Sequence, residues 1–206
     1  MIEASGISRL VLGAGFKRME GIIDVRLPLP QLARVTSEPA TSRDSVLVIA
    51  ARDGDRAAFG RLHDRYAPMV HGILLARVPR WEVEDLVQDV FLKALRQLES
   101  LRDTEAFGAW LARIARNCAA DFHRNRRDEE TLDDEAHATT SADLEAVRVL
   151  SLIRTLPEAY RETLVLRLVE GLTGPEIAAQ TGLTPGSVRV NLHRGVRLLR
   201  EKLGLE

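Results

Sequence analysis

The sequence has only one cysteine, Cys118, among its 206 residues. It cannot form an internal disulfide, and no group of cysteine and histidine residues has the spacing of a zinc site. We therefore expect a buried, inert thiol and neither a metal nor another cofactor. No apolar run approaches the roughly 20 residues needed to cross a bilayer. The apolar stretch at residues 10–16 is short and soon followed by charged residues, so we expect a cytoplasmic protein without membrane insertion.

The sequence also lacks the patterns of an enzyme. It has no paired nucleophile and base, no glycine-rich phosphate-binding loop and no cluster of metal ligands, so we expect no catalytic residues. The net charge of -1 excludes little, because acidic and basic residues are strongly segregated along the chain.

Apolar residues recur at helical spacing over most of the chain, which predicts an all-α fold. Residues 1–42 mix glycine, proline and polar residues without a period, and are predicted to be a disordered amino-terminal extension. Two helical domains are expected at 43–127 and 144–206. Residues 128–143 between them are rich in aspartate and glutamate and contain no lysine or arginine, as in a flexible acidic linker. We expect the two domains to fold independently.

Residues 44–79 predict two helices. The apolar positions of the first helix are Val46, Leu47, Ile49 and Ala50. Gly54 is expected to end it, and Asp55 to cap the second helix. Pro68 is expected to kink or split the second helix near Tyr66.

The third predicted helix, at residues 82–98, has two distinct stripes. The stripe expected to be buried consists of Val83, Leu86, Val87, Val90, Phe91, Ala94 and Leu95. On the opposite face a large apolar residue lies among acidic and polar ones, in a stripe formed by Asp85, Gln88, Asp89 and Leu92. This mixture indicates a surface for a basic, partly apolar partner helix. The alternative is a solvated face with one isolated leucine.

The fourth predicted helix extends from Glu105 to about Arg127, with Thr104 as its N-cap. Trp110 lies on its predicted buried stripe and is expected to belong to the core. The other face is basic and is offset only by Asp121; its charged and amide residues are Arg113, Arg116, Asn117, Arg124, Arg126 and Arg127. Arginines repeated along one helical face are typical of binding to a phosphate backbone. The alternative is a solvated face whose arginines pair with acidic neighbours.

The second domain contains a helix-turn-helix pattern. Thr173 and Glu176 have the spacing of a capping box, which opens a short helix at 175–180. A turn around Gly182 leads to a last helix at about 185–203, crossing the first at a steep angle. The residues expected to face outward, toward duplex DNA, are Ser187, Arg189, Val190, His193, Arg194 and Arg197.

Five fragments of the chain resemble the extracytoplasmic-function (ECF) sigma factors of the sigma-70 family. They are AFGRLHDRYAP at 58–68, EDLVQDVFL at 84–92, AWLARIARN at 109–117, LPEAYR at 156–161 and EIA at 176–178. Their order, with the acidic segment between the third and fourth, is specific to that family. The resemblance implies a region 2-like bundle, a region 4-like helix-turn-helix domain and a subunit that directs promoter recognition and opening.

The resemblance also implies roles for the surfaces described above. The stripe formed by Asp85, Gln88, Asp89 and Leu92 would dock on the β′ coiled coil of core RNA polymerase. The chain would also contact the β subunit of that enzyme. Residues 101–127 would recognise and open the minus-ten element, with an extruded base held at 101–106. Near the upstream edge of that element, the candidate contacts are Asn117, Asp121 and Arg124. The last helix would read the minus-thirty-five element, and an anti-sigma factor would cover the idle protein.

The recognition helix departs from the family pattern. Family members commonly carry Lys-Ser-Arg where this sequence has Arg189-Val190-Asn191, and an arginine is frequent at the position of Val196. Arg189 keeps the positive charge, but the promoter sequence is not determined. The alternative function is a stand-alone helix-turn-helix regulator that binds duplex DNA without polymerase.

Overall fold

A computed structural model describes the backbone at residues 40–126 and 141–204, and side chains at 44–125 and 146–204. Within these ranges the chain is helical and contains no strand. The α-helices are α1 (Ala40–Arg52), α2 (Arg56–Leu75), α3 (Val83–Gln97), α4 (Phe107–Arg126), α5 (Ser141–Arg154), α6 (Glu158–Leu168), α7 (Gly174–Thr181) and α8 (Pro185–Leu203). Of the extension predicted at 1–42, residues 1–39 lie outside the described residues, whereas residues 40–42 belong to α1. Residues 128–140 of the predicted acidic linker also lie outside the described residues.

The buried face of α1 differs from the predicted one. Val48 is fully buried, whereas Val46 and Ile49 are 64% and 51% exposed. The reason is Asp44, a buried carboxylate that accepts a hydrogen bond from the Tyr66 hydroxyl at 2.7 Å. Positions 44, 48 and 51 share one helical face, so the contact of Asp44 with α2 turns Val46 and Ile49 outward.

The start of α2 follows the prediction. Gly54 has φ +94° and ends α1, and the Asp55 carboxylate accepts hydrogen bonds from the backbone N–H groups of Ala57 and Ala58. Of the predicted kink or split at Pro68, the split is wrong, because α2 continues unbroken through this proline. The kink stays a prediction. Residues on both sides of Pro68 are buried against α1, α3 and α4, and this packing holds the helix together despite the missing N–H donor.

A 3-10 turn at Arg80–Glu82 leads into α3, and its core stripe is largely the predicted one. Leu95 is an exception, since it is 47% exposed. The buried positions step from Val83 through Val87 and Val90 to Ala94, and the next inward residue is Leu98 in the following 3-10 turn. Leu95 therefore lies at the edge of this stripe.

The fourth helix begins differently from the prediction. Its N-terminal cap is Asp103 rather than Thr104, because the Asp103 carboxylate accepts from the Glu105 N–H at 3.0 Å and starts a 3-10 turn at Thr104–Ala106. Helix α4 proper starts at Phe107. Trp110 is 8% exposed and packs beside Phe107, which confirms its place in the core.

In the second domain, α5 begins at Ser141, three residues before the predicted return of helicity at 144. The predicted capping box of α7 is present: the Thr173 hydroxyl accepts from the Glu176 N–H, and the Glu176 carboxylate accepts from the Thr173 N–H. Gly182 has φ +76° at the turn, and α8 has the predicted bounds.

The two domains pack against each other rather than standing apart. Helix α2 lies on α6, and α4 lies on α7, so that buried residues form one continuous core across both domains. The sequence predicts two independent bundles, whereas in the structure the two domains share a buried interface.

Candidate functional site

The stripe on α3 that the sequence predicts for polymerase binding is open to solvent. The four side chains Asp85, Gln88, Asp89 and Leu92 are all exposed. Leu92 is 49% exposed, and Leu95 lies one turn further along α3 at 47%. The pair forms a small apolar patch beside the acidic residues, since residues three apart are neighbours on a helix. Sequence reasoning missed Leu95 by assigning it to the core, although its spacing from Leu92 was a usable signal.

A shallow groove between α3 and α4 borders this stripe. Lys93 lies in it, with its ammonium nitrogen 3.4 Å from the Cys118 sulfur and 3.9 Å from the Asp121 carboxylate. Cys118 itself is 3% exposed, and burial raises the pKa of its thiol despite the nearby ammonium. A protonated, buried thiol is a poor nucleophile, in agreement with the inert role expected of it.

The basic face of α4 is divided by the structure. Arg113, Asn117 and Arg124 are exposed, and Arg124 forms an ion pair with Asp121 one turn away. Arg116 is only partly exposed and points to the second domain, where it binds Glu162. The side chain of Arg126 and the whole of Arg127 lie outside the described residues.

Glu162 on α6 is the centre of a charged cluster between the domains. Its side chain accepts from Arg116 at 2.7 and 3.1 Å and from Arg77, two residues beyond the end of α2, at 2.5 Å. Burial raises the pKa of this carboxyl, but the hydrogen bonds and charges of the two arginines outweigh burial, and the pKa is held below its usual value. Periodicity could not reveal the cluster, because Arg116 lies 46 residues from Glu162 along the chain.

A second polar contact crosses the same boundary. Nδ1 of His71 on α2 lies 2.6 Å from a carboxylate oxygen of Glu170. Burial lowers the pKa of this imidazole, but the hydrogen bond and charge of Glu170 outweigh it, and the pKa is raised above its usual value. The Arg154 guanidinium on α5 donates to the carbonyl of Leu75, the last residue of α2, and to that of Val78 just beyond it.

The outward face of α8 has the geometry of a recognition helix. Thr184 caps the helix by accepting from the Ser187 N–H, and Gly182, in the left-handed conformation, ends α7 at the turn before it. All six predicted side chains are exposed: Ser187, Arg189, Val190, His193, Arg194 and Arg197. Val190 is 44% exposed, an apolar contact among basic ones. Asn191 instead lies in the cleft toward the first domain, beside Arg116 and Glu162.

Over 40–126 and 141–204, histidine, cysteine and carboxylate side chains nowhere form a group of three or more that could hold a metal ion. In the same part of the chain, no helix combines the length and apolar character needed to span a bilayer.

Comparisons with known proteins match both domains. The family described as "Sigma-70 region 2" matches residues 62–129, and "Sigma-70, region 4" matches residues 146–199. The sigma-E factor of Haemophilus influenzae is 32% identical over 180 residues, which cover 78% of this chain and 95% of that protein. The sigma factor CarQ of Myxococcus xanthus is 36% identical and covers 74% and 93% of the two chains.

A solved structure agrees with these matches. CnrH, determined in complex with the cytosolic domain of CnrY, is 30% identical, with a TM-score of 0.58 over 80% of this chain and 99% of that one. Relatives that extend over both domains are sigma factors, which decides against the stand-alone regulator. The chain therefore belongs to the ECF sigma factors of the sigma-70 family, the RNA polymerase subunits that direct promoter recognition.

Proposed function

We propose that this sigma factor binds core RNA polymerase through the α3 stripe formed by Asp85, Gln88, Asp89 and Leu92, extended by Leu95. The observation that carries the proposal is the exposure of Leu92 and Leu95 beside three acidic or polar side chains. An acidic, partly apolar helix face suits a basic, partly apolar partner helix, and the β′ coiled coil is the proposed partner. The β subunit is proposed as a further contact.

The basic face of α4 is proposed to follow the promoter at the minus-ten element. Arg113, Asn117 and Arg124 are exposed along one side of this helix, where arginines can neutralise successive phosphates. Arg116 and Asp121 lie on the same side and are included, as are Arg126 and Arg127 from the sequence pattern. The segment at 101–106, immediately before α4, is proposed to hold an extruded base.

Helix α8 is proposed to read the minus-thirty-five element in the major groove. Arg189 and Arg194 are suited to guanine edges or phosphates, and Val190 to a thymine methyl group. Ser187, His193 and Arg197 complete the face, and all six side chains are free to approach a duplex.

Regulation by an anti-sigma factor, in the cytoplasm, is proposed as well. The solved relative CnrH is held in a complex with a cytosolic protein domain, and the exposed apolar patch on α3 is a surface that such a partner could cover.

The proposed surfaces are tested together by reconstitution with core RNA polymerase. The wild-type chain is expected to co-elute with core enzyme in size-exclusion chromatography and to support transcript synthesis from a cognate promoter. A chain that never associates with core enzyme would overturn the proposal.

A further inference from the structure

The 3-10 turn before α3 carries an exposed tryptophan. Trp81 is 41% exposed, whereas a tryptophan is usually buried for most of its surface, as Trp110 is. Among the described residues six large apolar side chains are exposed, and three of them, Trp81, Leu92 and Leu95, lie on α3 or on the turn that precedes it. The other three are divided between α1 and α8. Exposed apolar surface is therefore concentrated along this one element.

Trp81 continues the α3 stripe toward its amino-terminal end. Positions 81, 85, 88, 92 and 95 follow one another at intervals of four, three, four and three residues, which is the spacing of a coiled-coil seam. All five side chains are exposed. The 3-10 turn at Arg80–Glu82 winds more tightly than an α-helix, but it runs directly into α3, so Trp81 stays on the side of the seam. The stripe therefore has apolar residues at both ends, with acidic and polar ones between them.

We propose that Trp81 and Asp85 together form a binding site for one arginine of the partner helix. The inference rests on the proposed polymerase contact of α3 and deepens it by naming the chemistry at its amino-terminal end. Residues four apart on a helix are neighbours, with about 5–6 Å between their Cβ atoms, so the indole ring and the Asp85 carboxylate can reach the same guanidinium. A guanidinium stacks on an aromatic face and also binds a carboxylate through two parallel hydrogen bonds. A lysine ammonium has no planar face and is less suited to making both contacts at once.

The charges around Trp81 favour a cation at this end of the stripe. Glu84, Asp85 and Asp89 are exposed in the first two turns of α3, and only Arg80 offsets them there among the exposed residues of the turn and these positions. The acidic excess matches the basic partner that suits the rest of the stripe. At about 1.5 Å per residue, the stripe from position 81 to position 95 is about 21 Å long, so a single partner helix can lie along all of it. The β′ coiled coil is therefore the occupant proposed for the arginine site as well.

Competition for core RNA polymerase measures the contribution of Trp81. A fluorescein-labelled wild-type chain is bound to core enzyme, and unlabelled full-length variants displace it while the anisotropy is followed. Trp81→Leu keeps an apolar side chain but removes the aromatic face, and it is expected to compete roughly tenfold less well than the wild type. Trp81→Phe keeps an aromatic face and should stay within about threefold of the wild type. The matched control is Ile49→Ala, an exposed apolar residue on α1, which should compete like the wild type.

Asp85→Asn tests whether the ring and the carboxylate hold the same arginine. If they do, removing one of them loosens the guanidinium from the other, and the two losses are not additive. The loss caused by Trp81→Leu should therefore fall from roughly tenfold to below about threefold in the Asp85→Asn background. In a Gln88→Ala background it should stay roughly tenfold, because position 88 lies about 10 Å further along the helix. A Trp81→Leu chain that competes like the wild type, or losses that add fully with Asp85→Asn, would overturn the arginine site.

Photo-crosslinking identifies the partner. With p-benzoylphenylalanine in place of Trp81, irradiation of the reconstituted holoenzyme is expected to join the chain to β′. A crosslink only to another subunit, or to a second copy of this chain, would contradict the proposed occupant. The competition assay separates the two possible failures. If Trp81→Leu competes like the wild type while Asp89→Arg with Leu92→Ala loses binding, the α3 stripe stands and only the arginine site is lost. If the double variant also competes like the wild type, the proposed polymerase contact itself fails.

Discussion

Asp89 and Leu92 lie on the exposed side of α3 and contribute nothing to the core. The double change Asp89→Arg with Leu92→Ala should therefore abolish binding to core RNA polymerase while leaving thermal unfolding unchanged. Co-elution with core enzyme and melting followed by circular dichroism measure the two effects. Glu99→Arg, an equally acidic and exposed position beyond the stripe, is the control. Binding retained by the double variant would show that the stripe is only solvated.

Arg189 and Arg194 are exposed on the outward face of α8. If either reads a base edge, its replacement by alanine should weaken recognition of the minus-thirty-five duplex by about 1–3 kcal/mol and relax preference at one position. Competition between duplexes on the reconstituted holoenzyme measures this loss. Lys202→Ala, exposed in the last turn of the same helix, should leave the preference unchanged. An unaltered preference in both arginine variants would exclude base reading by these residues.

For single residues, the sequence predicted exposure or burial correctly where it depends only on the position within one helix. The exposure of the α8 residues and the burial of Trp110 follow from the period of 3.6 residues, which needs no knowledge of neighbours. Glu162 could not be predicted in the same way. Its position in α6 is that of an ordinary helix residue, and its burial depends on two arginines from the other domain.

Among the elements, α7 depends most on its cap. The Thr173 hydroxyl accepts a hydrogen bond from the Glu176 N–H and donates one to the Glu176 carboxylate. Hydrogen bonds from Thr173 also hold the pKa of the Glu176 carboxyl below its usual value. Thr173→Ala should lower the free energy of unfolding by about 1 kcal/mol.

Urea unfolding measures the effect of the Thr173→Ala change. Ser151→Ala is a suitable control, because this exposed hydroxyl donates to the Val147 carbonyl within α5 and caps no helix. Equal losses in the two variants would argue against the cap as the cause.

Helix bounds were predictable where local signals mark both ends. Helix α8 has its predicted limits because Thr184 and Pro185 start it and Gly204, with φ +70°, ends it. The predicted split at Pro68 and the predicted buried face of α1 were wrong, because contacts with other helices override local preference there. In both cases tertiary packing decided, and a single sequence contains no direct record of it.

For the whole molecule, the interface between the domains should respond to pH. Because the pKa of His71 is raised, its contact with Glu170 stabilises the packing of the two domains at pH values below the ordinary histidine pKa of about 6.5. This contribution is lost as the pH rises through the raised value. Glu162 acts at the acidic end of the pH range, because its pKa is lowered. It stabilises the interface at pH values above the ordinary glutamate pKa of about 4.3, and this stabilisation is lost as the pH falls through the lowered pKa.

Small-angle X-ray scattering of the free chain across this range is expected to show expansion toward alkaline pH. The other charged groups that face His71 are Glu84 and Arg80. They remain in His71→Ala, which should abolish the alkaline expansion while keeping the acid response of Glu162. An alkaline expansion of equal size in His71→Ala would contradict the assignment.

The fold places three proposed surfaces on different helices: α3 for polymerase, α4 for the minus-ten element and α8 for the minus-thirty-five element. They can serve one promoter only if a larger enzyme holds the domains apart. A pair of surfaces working alone on duplex DNA would need no polymerase stripe on α3.

Transcription reconstituted from purified core RNA polymerase, this chain and genomic DNA fragments, with sequencing of the transcripts, tests this account most directly. We expect transcripts that start at discrete sites sharing two upstream elements, that appear only when the chain is added, and that disappear with Asp89→Arg and Leu92→Ala. Transcript starts unchanged by adding the chain, or retained in full by the double variant, would contradict the account.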